Sequence, residues 1–301
     1  GGDASGAIKV GIMGPHTGDN SSYGLACLNG AQLYFKQLNA DGGVNGKQVE
    51  PVVYDEKGDA TEAVNAYNRL VQEDGVTGIV GDVTTGPTIA VAKASVTDNM
   101  PCVTYGDNYF RACVTDPEQG RVMANFAVEQ GYKSVATLYL NGSDYSEGVN
   151  AAFCEEAEAA GITITAQESY AEGDVDFNSQ LTNIIGTNPD AILVPNYYQD
   201  DGMIVTQARA QGYDKVFLGV DGWSGIYGGS ENYADAADLH DCYYCCAFSS
   251  SNESEIATKF VEDYEAEYGE TPTNFCALGY DAAMVMMNAI DAADSTDSQA
   301  I

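Results

Sequence analysis

A loop rich in glycine and hydroxyl side chains follows the first apolar run of the chain. It reads GIMGPHTGDNSSYG, from Gly11 to Gly24, and comes directly after Ile8–Val10. The loop contains neither the Gly-Lys-Ser/Thr sequence of a Walker loop nor the glycine spacing of a dinucleotide-binding motif. At the start of a following helix, free backbone N–H groups and the helix dipole favour a small anion such as a carboxylate.

A second loop of similar character, GDVTTGPT, follows the third predicted strand and begins another predicted helix. Thr84, Thr85 and Thr88 lie close to that helix start, where hydroxyls and exposed N–H groups can bind a carboxylate without a lysine or an arginine. One of these threonines could serve only as an N-cap, which accounts for one residue of the three. The residues alone leave both interpretations open.

Loops in the second half of the sequence carry tyrosines and an acid after their predicted strands. They offer Tyr145 in YLNGSDYSEG, Tyr197 and Tyr198 in VPNYYQDDG, and Asp221 and Trp223 in LGVDGWSG. Tyrosine has an apolar face and a hydroxyl tip, and aspartate is a natural partner for an ammonium group. One lobe that binds a carboxylate and another that binds an ammonium would together bind a zwitterion. Trp223 either stacks on that ligand or covers the core of its own lobe.

The elements that carry these loops alternate along the chain. Short β-branched runs, such as AIKVGIMG, VTGIVGDV and SVATLYL, are each followed by a longer stretch that favours a helix. Strands that alternate with helices indicate βαβ units and parallel sheets with helices on both faces. Ligands of such sheets bind beyond the carboxyl ends of the strands, which is where these loops lie. The predicted fold class is therefore α/β, with parallel sheets in two lobes.

The predicted strands are too numerous for one compact sheet, and a length of 301 residues suggests about two domains. Breaks are expected near residues 115–120 and 248–254, with a helix beginning at GRVMANFAVEQG after the first break. We predict one lobe from residues 1–116 and 249–301 and a second from residues 117–248, with a ligand cleft between them.

Composition excludes several kinds of partner. The formal net charge of −33, from 45 acidic and 12 basic residues, would repel nucleic acid and anionic lipid. No stretch approaches the roughly 20 continuous apolar residues of a membrane-spanning helix. No signal peptide is visible, and the opening GGDASGA is interpreted as a linker or a trimmed terminus.

The residues that could perform catalysis or bind a metal are few. Most of the eight cysteines lie in apolar runs, which predicts buried thiols or one incidental disulfide. The Cys-x-x-Cys spacing in CYYCC lies in a strand-like run without a second pair, so it is only a weak signal for zinc or redox chemistry. His16 could touch a ligand but is more simply a solvated loop residue, and His240 is expected on the surface. Asp55 and Asp82 are isolated carboxylates for which no pairing is visible. We therefore predict a binding protein without metal or cofactor, and not an enzyme.

Longer stretches show a pattern that covers nearly the whole chain. They begin with IKVGIMGPHTGDNSSYG and NGAQLYFKQLNADGGVNGKQVEPVVYDEKGDATEAVNAYNRLV, and continue through IVGDVTTGPT, NYFRACVTDPEQG, DYSEG, DFNSQL, PDAILVPNYY, QARAQGY and GYDAAMVMMNAI. In these stretches the sequence resembles the type I periplasmic solute-binding proteins of the leucine/isoleucine/valine-binding family, which serve ABC importers. The resemblance implies two Rossmann-like lobes, joined by a hinge of three crossings, that close on a ligand.

The resemblance also implies roles for residues of the first lobe. Thr85 falls where a serine or threonine of the family binds the carboxylate of the ligand, with Tyr23 and Thr84 beside it. Phe275, before CALGYDAA, would line the pocket for the ligand's side chain.

In the second lobe the resemblance places Asp221 where an acid pairs with the α-ammonium, with Tyr145 and Tyr197 near it. The expected pocket is rich in aromatic rings, which suits an aliphatic or aromatic amino acid better than a charged one. The aromatic residues concerned are Tyr23, Tyr145, Tyr197, Trp223 and Phe275.

The resemblance implies a monomeric, extracytoplasmic protein, periplasmic or lipid-anchored, that delivers its ligand to a membrane permease. Two other functions stay open at this point. The same fold serves as the ligand-sensing domain of receptors and regulators, and the ligand could be a small carboxylate or amide that is not an amino acid.

Two departures from the family pattern accompany the likeness. Family members have a loop of about a dozen Ser, Ala and Thr residues after the strand that here reads MPCVT, whereas this sequence passes directly to YGDNYFRAC. Either the loop is short or residues are missing there. The sequence also stops at Ile301, before the last strand–turn and third crossing of the family, so we expect a longer protein.

Overall fold

A computed structural model describes residues 6–103, 109–228, 232–298 and 300–301. The chain divides into two compact units, unit 1 (Gly1–Cys113 and Phe248–Ile301) and unit 2 (Val114–Ala247). In the described residues, each unit contains one five-stranded parallel sheet flanked by helices. The predicted α/β fold class is confirmed.

The sheet of unit 1 has the strand order β2-β1-β3-β4-β5. Its strands are β1 (Ile8–Gly14), β2 (Val49–Asp55), β3 (Gly78–Val80), β4 (Cys102–Val103) and β5 (Tyr109–Phe110). In the register of the central pairs, Gly14 lies opposite Asp55, and Ile12 lies opposite Val80. The carboxyl ends of the first three strands therefore meet at one edge of the sheet.

Helices cover both faces of this sheet. They are α1 (Ser21–Ala40), α2 (Ala60–Arg69), α3 (Thr85–Asp98), α8 (Glu255–Tyr268) and α9 (Asn274–Ala293). Helices α1 and α9 pack on one face, where Phe35 and Met286 join Val10 in a buried cluster. Helices α2 and α3 pack on the other face, where Tyr67 and Val91 lie in a second buried cluster.

The contact between α1 and α9 brings two backbones together. A Cβ atom at Gly30 would lie 1.9 Å from the carbonyl oxygen of Cys276, and one at Gly279 would lie 2.2 Å from that of Cys27. Only glycine permits so close an approach, so the sequence specifies this helix crossing at two positions.

The sheet of unit 2 has the strand order β10-β9-β8-β6-β7. Its strands are β6 (Ser134–Leu140), β7 (Thr163–Tyr170), β8 (Ala191–Leu193), β9 (Val216–Gly219) and β10 (Cys242–Tyr244). Its helices are α4 (Asp116–Glu129), α5 (Asp144–Ala159), α6 (Asn178–Gly186) and α7 (Tyr198–Ala210). Buried side chains such as Phe153, Leu193 and Leu218 form its core.

The start of α4 differs from the sequence expectation. The helix begins at Asp116, one turn before GRVMANFAVEQG, because Thr115 caps it by accepting a hydrogen bond from the backbone N–H of Glu118. Pro117 lies in the first turn, where its missing N–H costs nothing. Thr-Asp-Pro is a helix-start signal, and it lies inside the break that the sequence predicts near residues 115–120.

Other sequence expectations concern the cysteines, membrane-spanning helices, metal sites and the connection after MPCVT. The eight cysteines are free thiols; the expectation of buried thiols is confirmed for Cys102, Cys154 and Cys276 and is wrong for Cys246, which is exposed. CYY of CYYCC forms the edge strand β10. Within the described ranges, no helix has the length and apolar character needed to span a bilayer, and no three metal-binding side chains converge. The short connection after MPCVT includes residues 104–108, which lie outside the described residues.

Candidate ligand-binding site

Asp55, the last residue of β2, anchors the glycine-rich loop after β1. One oxygen of its carboxylate accepts hydrogen bonds from the backbone N–H groups of His16, Thr17 and Lys57, at 2.9, 3.2 and 3.0 Å. The other oxygen accepts the hydroxyl of Thr17. Burial raises the pKa of Asp55, but these hydrogen bonds outweigh that effect and the net pKa is lowered. An ionised Asp55 thus holds the loop in place.

The two histidines of the chain lie in different surroundings. His16 is half-buried, and its pKa is lowered by burial, although the charge of Asp55 opposes that effect. The ring of His240 lies 2.7 Å from a carboxylate oxygen of Asp214 and 2.8 Å from the carbonyl of Ala237 in an exposed region, in keeping with a surface residue.

Tyr23 and Phe275 form an aromatic pair in unit 1. Tyr23 lies in the first turn of α1 and is buried, whereas Phe275, in the first turn of α9, is half-buried. Their ring centroids are 4.6 Å apart, with the planes tilted by 42°. The structure therefore brings together two of the residues predicted for the ligand's side chain.

Thr84 and Thr85 lie at the N-terminus of α3. Thr84 is the N-cap residue, and its backbone carbonyl accepts the N–H of Thr88 at 3.0 Å. Its side chain makes no capping hydrogen bond. Although Thr84 is only 6% exposed, its hydroxyl has no hydrogen-bond partner among the described residues. An unpaired buried hydroxyl at a helix N-terminus is suited to a carboxylate and is not explained by capping alone.

Asp82 is paired with a second carboxyl group, and the expectation of an isolated carboxylate is wrong. Its carboxylate accepts the backbone N–H groups of Val83 and Thr84 and forms a hydrogen bond with Glu56. Glu56 is fully buried, and its other oxygen accepts the N–H of Gly58 at 2.8 Å. Burial raises the pKa of both groups, and the charge of Asp82 further raises that of Glu56, to about 9. Glu56 therefore keeps its proton at neutral pH.

Asp221 is the centre of the corresponding cluster in unit 2, directly after β9. Its carboxylate accepts the hydroxyl of Tyr145 at 2.8 Å, and its backbone N–H donates to the side-chain oxygen of Gln119 at 2.9 Å. The N–H of Gly222 in turn donates to the Tyr145 hydroxyl at 3.0 Å. Burial raises the pKa of Asp221 to about 6, against the lowering effect of these hydrogen bonds. The group is ionised at neutral pH and positioned by its neighbours.

Tyr145 and Tyr197 are stacked, with ring centroids 5.0 Å apart and planes within 6° of parallel. Tyr197 is the N-cap residue of α7 and is half-buried. Tyr198, by contrast, is buried and its ring packs against Tyr233. Tyr145, Tyr197 and Asp221 thus converge, whereas Tyr198 belongs to the core.

Trp223 has the second of the two roles that the sequence left open, that of covering the core of unit 2. Its side chain is 1% exposed, and its indole N–H donates to the carbonyl of Val194 at 2.8 Å. A Cβ atom at position 219 would lie 2.3 Å from the indole nitrogen, so the ring takes the space that Gly219 leaves open. The ring's one polar group is therefore already bonded inside unit 2.

A buried polar network supports the loops around Asp221. The side-chain oxygen of Asn196 accepts the hydroxyl of Ser146 at 2.7 Å and the N–H of Leu140 at 3.0 Å, and its amide donates to Leu138 at 3.2 Å. Asp201 is buried beside Asn196, and burial raises its pKa well above the ordinary value. The network joins the ends of β6 and β8.

Sequence reasoning missed three residues of these clusters: Glu56, Gln119 and Asn196. Each of them follows a strand or begins a helix at the carboxyl edge of its sheet, as an inspection of strand ends could have shown. Their partners, however, lie 26, 102 and 50 residues away in the chain. Only the register of the folded sheets reveals such pairs.

The chain matches a known family model over nearly its full length. The family is described as "Periplasmic binding protein", and its model matches residues 7–301. Among curated proteins, the chain is 27% identical to the leucine-, isoleucine-, valine-, threonine-, and alanine-binding protein of Pseudomonas aeruginosa, an alignment that covers 99% of this chain and 82% of that protein.

Solved structures show the same likeness. The chain is 33% identical, with a TM-score of 0.90, to the substrate-binding protein of a branched-chain amino acid transporter from Streptococcus pneumoniae in complex with isoleucine. The match covers 98% of this chain and 86% of that protein. It is 30% identical, with a TM-score of 0.88, to a leucine-binding protein from Thermotoga maritima, and that match covers 98% and 85% of the two chains.

Proposed function

This chain belongs to the periplasmic binding protein family, and from that premise we propose that it captures a branched-chain amino acid for an ABC importer. The similar proteins are named as binding proteins for leucine, isoleucine and valine, and one of them was solved in complex with isoleucine. The proposal for this chain rests on those likenesses together with the chemistry of its own two clusters.

The observation that carries the proposal is the opposite chemistry of the two clusters. Unit 1 offers the unpaired hydroxyl of Thr84 beside Thr85 at the N-terminus of α3, which suits a carboxylate. Unit 2 offers the carboxylate of Asp221, oriented by Tyr145, which suits an ammonium group. A zwitterionic amino acid carries both groups, and we propose that each cluster binds one end of it.

The aromatic pair Tyr23–Phe275 supports an apolar side chain on that amino acid. Two rings in contact present carbon surface, and burying an aliphatic side chain against carbon surface is favourable by about 25 cal/mol per Å². A charged side chain would lose its hydration there without compensation. We therefore favour leucine, isoleucine or valine over charged amino acids.

The wider setting of the function is also a proposal. We infer that the protein works outside the cytoplasm, periplasmic or lipid-anchored, as a monomer that closes on its ligand at the hinge and delivers it to a membrane permease. Hydrogen bonds and charge complementarity at the two clusters account for binding. We infer no catalysis, because a binding protein needs only these groups.

Leucine and its truncated analogues test the proposal. Calorimetry should give a dissociation constant for leucine in the micromolar range, about −8 kcal/mol. 4-Methylpentanoate lacks the ammonium group and isoamylamine lacks the carboxylate, so each should bind at least tenfold more weakly. If either analogue bound as tightly as leucine, the two-ended recognition of a zwitterion would be refuted. A thermal-shift screen of the twenty amino acids would then identify the better ligand.

A further inference from the structure

Glu56 and Asp82 form a buried pair of acids at the carboxyl edge of the unit 1 sheet. Glu56 follows β2 and Asp82 follows β3, the two strands that flank β1. Glu56 is 0% exposed and Asp82 is 4% exposed. In the described part of the chain, no backbone or side-chain group donates a hydrogen bond to the Oε1 atom of Glu56. A proton shared with Asp82 supplies that missing hydrogen bond.

The surroundings of the pair oppose a second negative charge. Among the described residues, Asp55 beside Glu56 and the half-buried Cys27 near Asp82 interact electrostatically with the pair. None of these groups supplies a positive charge. Two ionised carboxylates in contact in a buried place would repel each other strongly, so one proton is retained between them.

The pair also determines the geometry of the chain that enters α3. Asp82 accepts the backbone N–H groups of Val83 and Thr84 and forms a hydrogen bond with the Glu56 carboxyl group. The backbone N–H of Glu56 donates to the carbonyl of Gly14 at 3.1 Å, which ties the pair to the end of β1. Thr84 then presents its unpaired hydroxyl next to Thr85.

We propose that Glu56 and Asp82 are a positioning pair, whose shared proton holds the N-terminus of α3 in the geometry that accepts the carboxylate of the ligand. The inference rests on the proposed function of the same site. When the shared proton is lost to solvent, the two carboxylates separate and a second negative charge faces the incoming carboxylate. Ligand affinity therefore falls in alkaline solution for a reason located in the protein.

Glu56→Gln provides the decisive comparison, because glutamine keeps the donor and the shape of protonated glutamate but cannot ionise. Isoleucine is the probe, with its dissociation constant measured by calorimetry from about pH 7 to about pH 10. The ligand's own ammonium group titrates in this range, but it affects both proteins equally. The wild type should bind as tightly as Glu56→Gln at pH 7 and roughly tenfold more weakly at pH 10.

Thermal unfolding without ligand gives an independent readout. The folded protein holds the proton of Glu56 at a pH where the unfolded chain has released it, so the stability of the wild type falls as pH rises from about 5 to about 9. Glu56→Gln has no proton to lose at this position. The melting temperature of the variant minus that of the wild type should therefore increase across the same pH interval. Glu62→Gln makes the same residue change at an exposed position of α2 and should follow the wild type.

The outcomes separate the two proposals. If the wild type fails to bind isoleucine at pH 7, the proposed ligand class is wrong and the positioning role falls with it. If the wild type binds isoleucine but Glu56→Gln shows the same pH profile, only the positioning pair is refuted. Glu56→Ala removes the donor and should bind weakly at every pH, provided that it folds. The isosteric glutamine variant decides the question in either case.

Discussion

At the scale of single residues, the proposed ammonium-binding role of Asp221 predicts that ligand binding depends on pH. Burial raises its pKa to about 6 from an ordinary 3.8, so the carboxylate becomes protonated as pH falls through about 6. The affinity for isoleucine should then decrease up to tenfold per pH unit below that value, because a neutral acid cannot pair with an ammonium group. Calorimetry between about pH 4.5 and pH 7.5 measures this dependence, and Asp221→Asn should show no step near pH 6.

The same pKa predicts an opposite effect on the unbound protein. A buried acid whose folded-state pKa is raised stabilises the folded state less as pH increases, so the contribution of Asp221 to stability declines from about pH 4 to about pH 6. Binding improves over the same interval. Equal and parallel changes in stability and affinity would contradict this assignment.

Replacement of Asp221 by alanine tests the role of its charge. Asp221→Ala should weaken binding of a branched-chain amino acid by more than tenfold, because the ligand's ammonium loses its charged partner, a change of roughly 2–5 kcal/mol. The fold should survive, since Tyr145 keeps its hydrogen bond from the N–H of Gly222. Calorimetry measures the affinity, and circular dichroism without ligand is the control. Affinity like that of the wild type would remove Asp221 from the site.

At the scale of the secondary-structure elements, the proposed binding role of Thr84 at the start of α3 predicts opposite effects on affinity and on stability. Thr84→Val removes a buried hydroxyl that has no hydrogen-bond partner among the described residues. We expect the unbound protein to be as stable as the wild type or more stable, by up to about 1–3 kcal/mol, because burying an unpaired hydroxyl is unfavourable. The affinity for isoleucine should nevertheless fall by about tenfold.

Chemical denaturation and calorimetry on the same variant test both parts of this prediction. Thr61→Val is a matched control, because Thr61 is an exposed residue in the first turn of α2. It should alter neither quantity by more than about 0.5 kcal/mol. If Thr84→Val destabilised the protein and left binding unchanged, the hydroxyl would have a structural role and not a binding role.

The elements themselves follow from the sequence more readily than the contacts between their ends. Alternation of β-branched runs with amphipathic stretches predicts strands such as β6 and the helices between them, because period and burial are local properties. The sequence prediction begins α4 one turn too late, because the true start depends on a single capping residue, Thr115. The pair Glu56–Asp82 depends on the register of β2 and β3 on either side of β1, which no local pattern specifies.

At the scale of the whole molecule, the acidic composition should influence stability directly. A net charge of −33 is self-repelling in the compact state, and added salt screens that repulsion within about 10 Å at 0.1 M. The melting temperature of the unbound protein should therefore rise between about 10 mM and about 300 mM sodium chloride. Differential scanning calorimetry measures the change, and a melting temperature that fell with salt would contradict it. An equal osmolality of a neutral solute controls for effects that do not depend on charge.

Fold class and family were accessible from the sequence because their signals extend over the whole chain. Tyr145, which the family resemblance put beside Asp221 and Tyr197, contacts both of them in the structure: it donates a hydrogen bond to the Asp221 carboxylate and stacks on the Tyr197 ring. Their ligand roles stay predictions until a ligand is measured. The role of Trp223 could not be decided from the sequence, because a tryptophan that follows a strand can pack in a core or line a pocket. The hydrogen bond from its indole N–H to Val194 places it in the core of unit 2.

The glycine contact between α1 and α9 joins segments from opposite ends of the chain. Unit 2 is continuous, Val114–Ala247, whereas the core of unit 1 lacks Met286 and Ile290 until the final helix has been made. On a ribosome, unit 2 can therefore acquire its structure while the earlier-made part of unit 1 still waits for its closing helix.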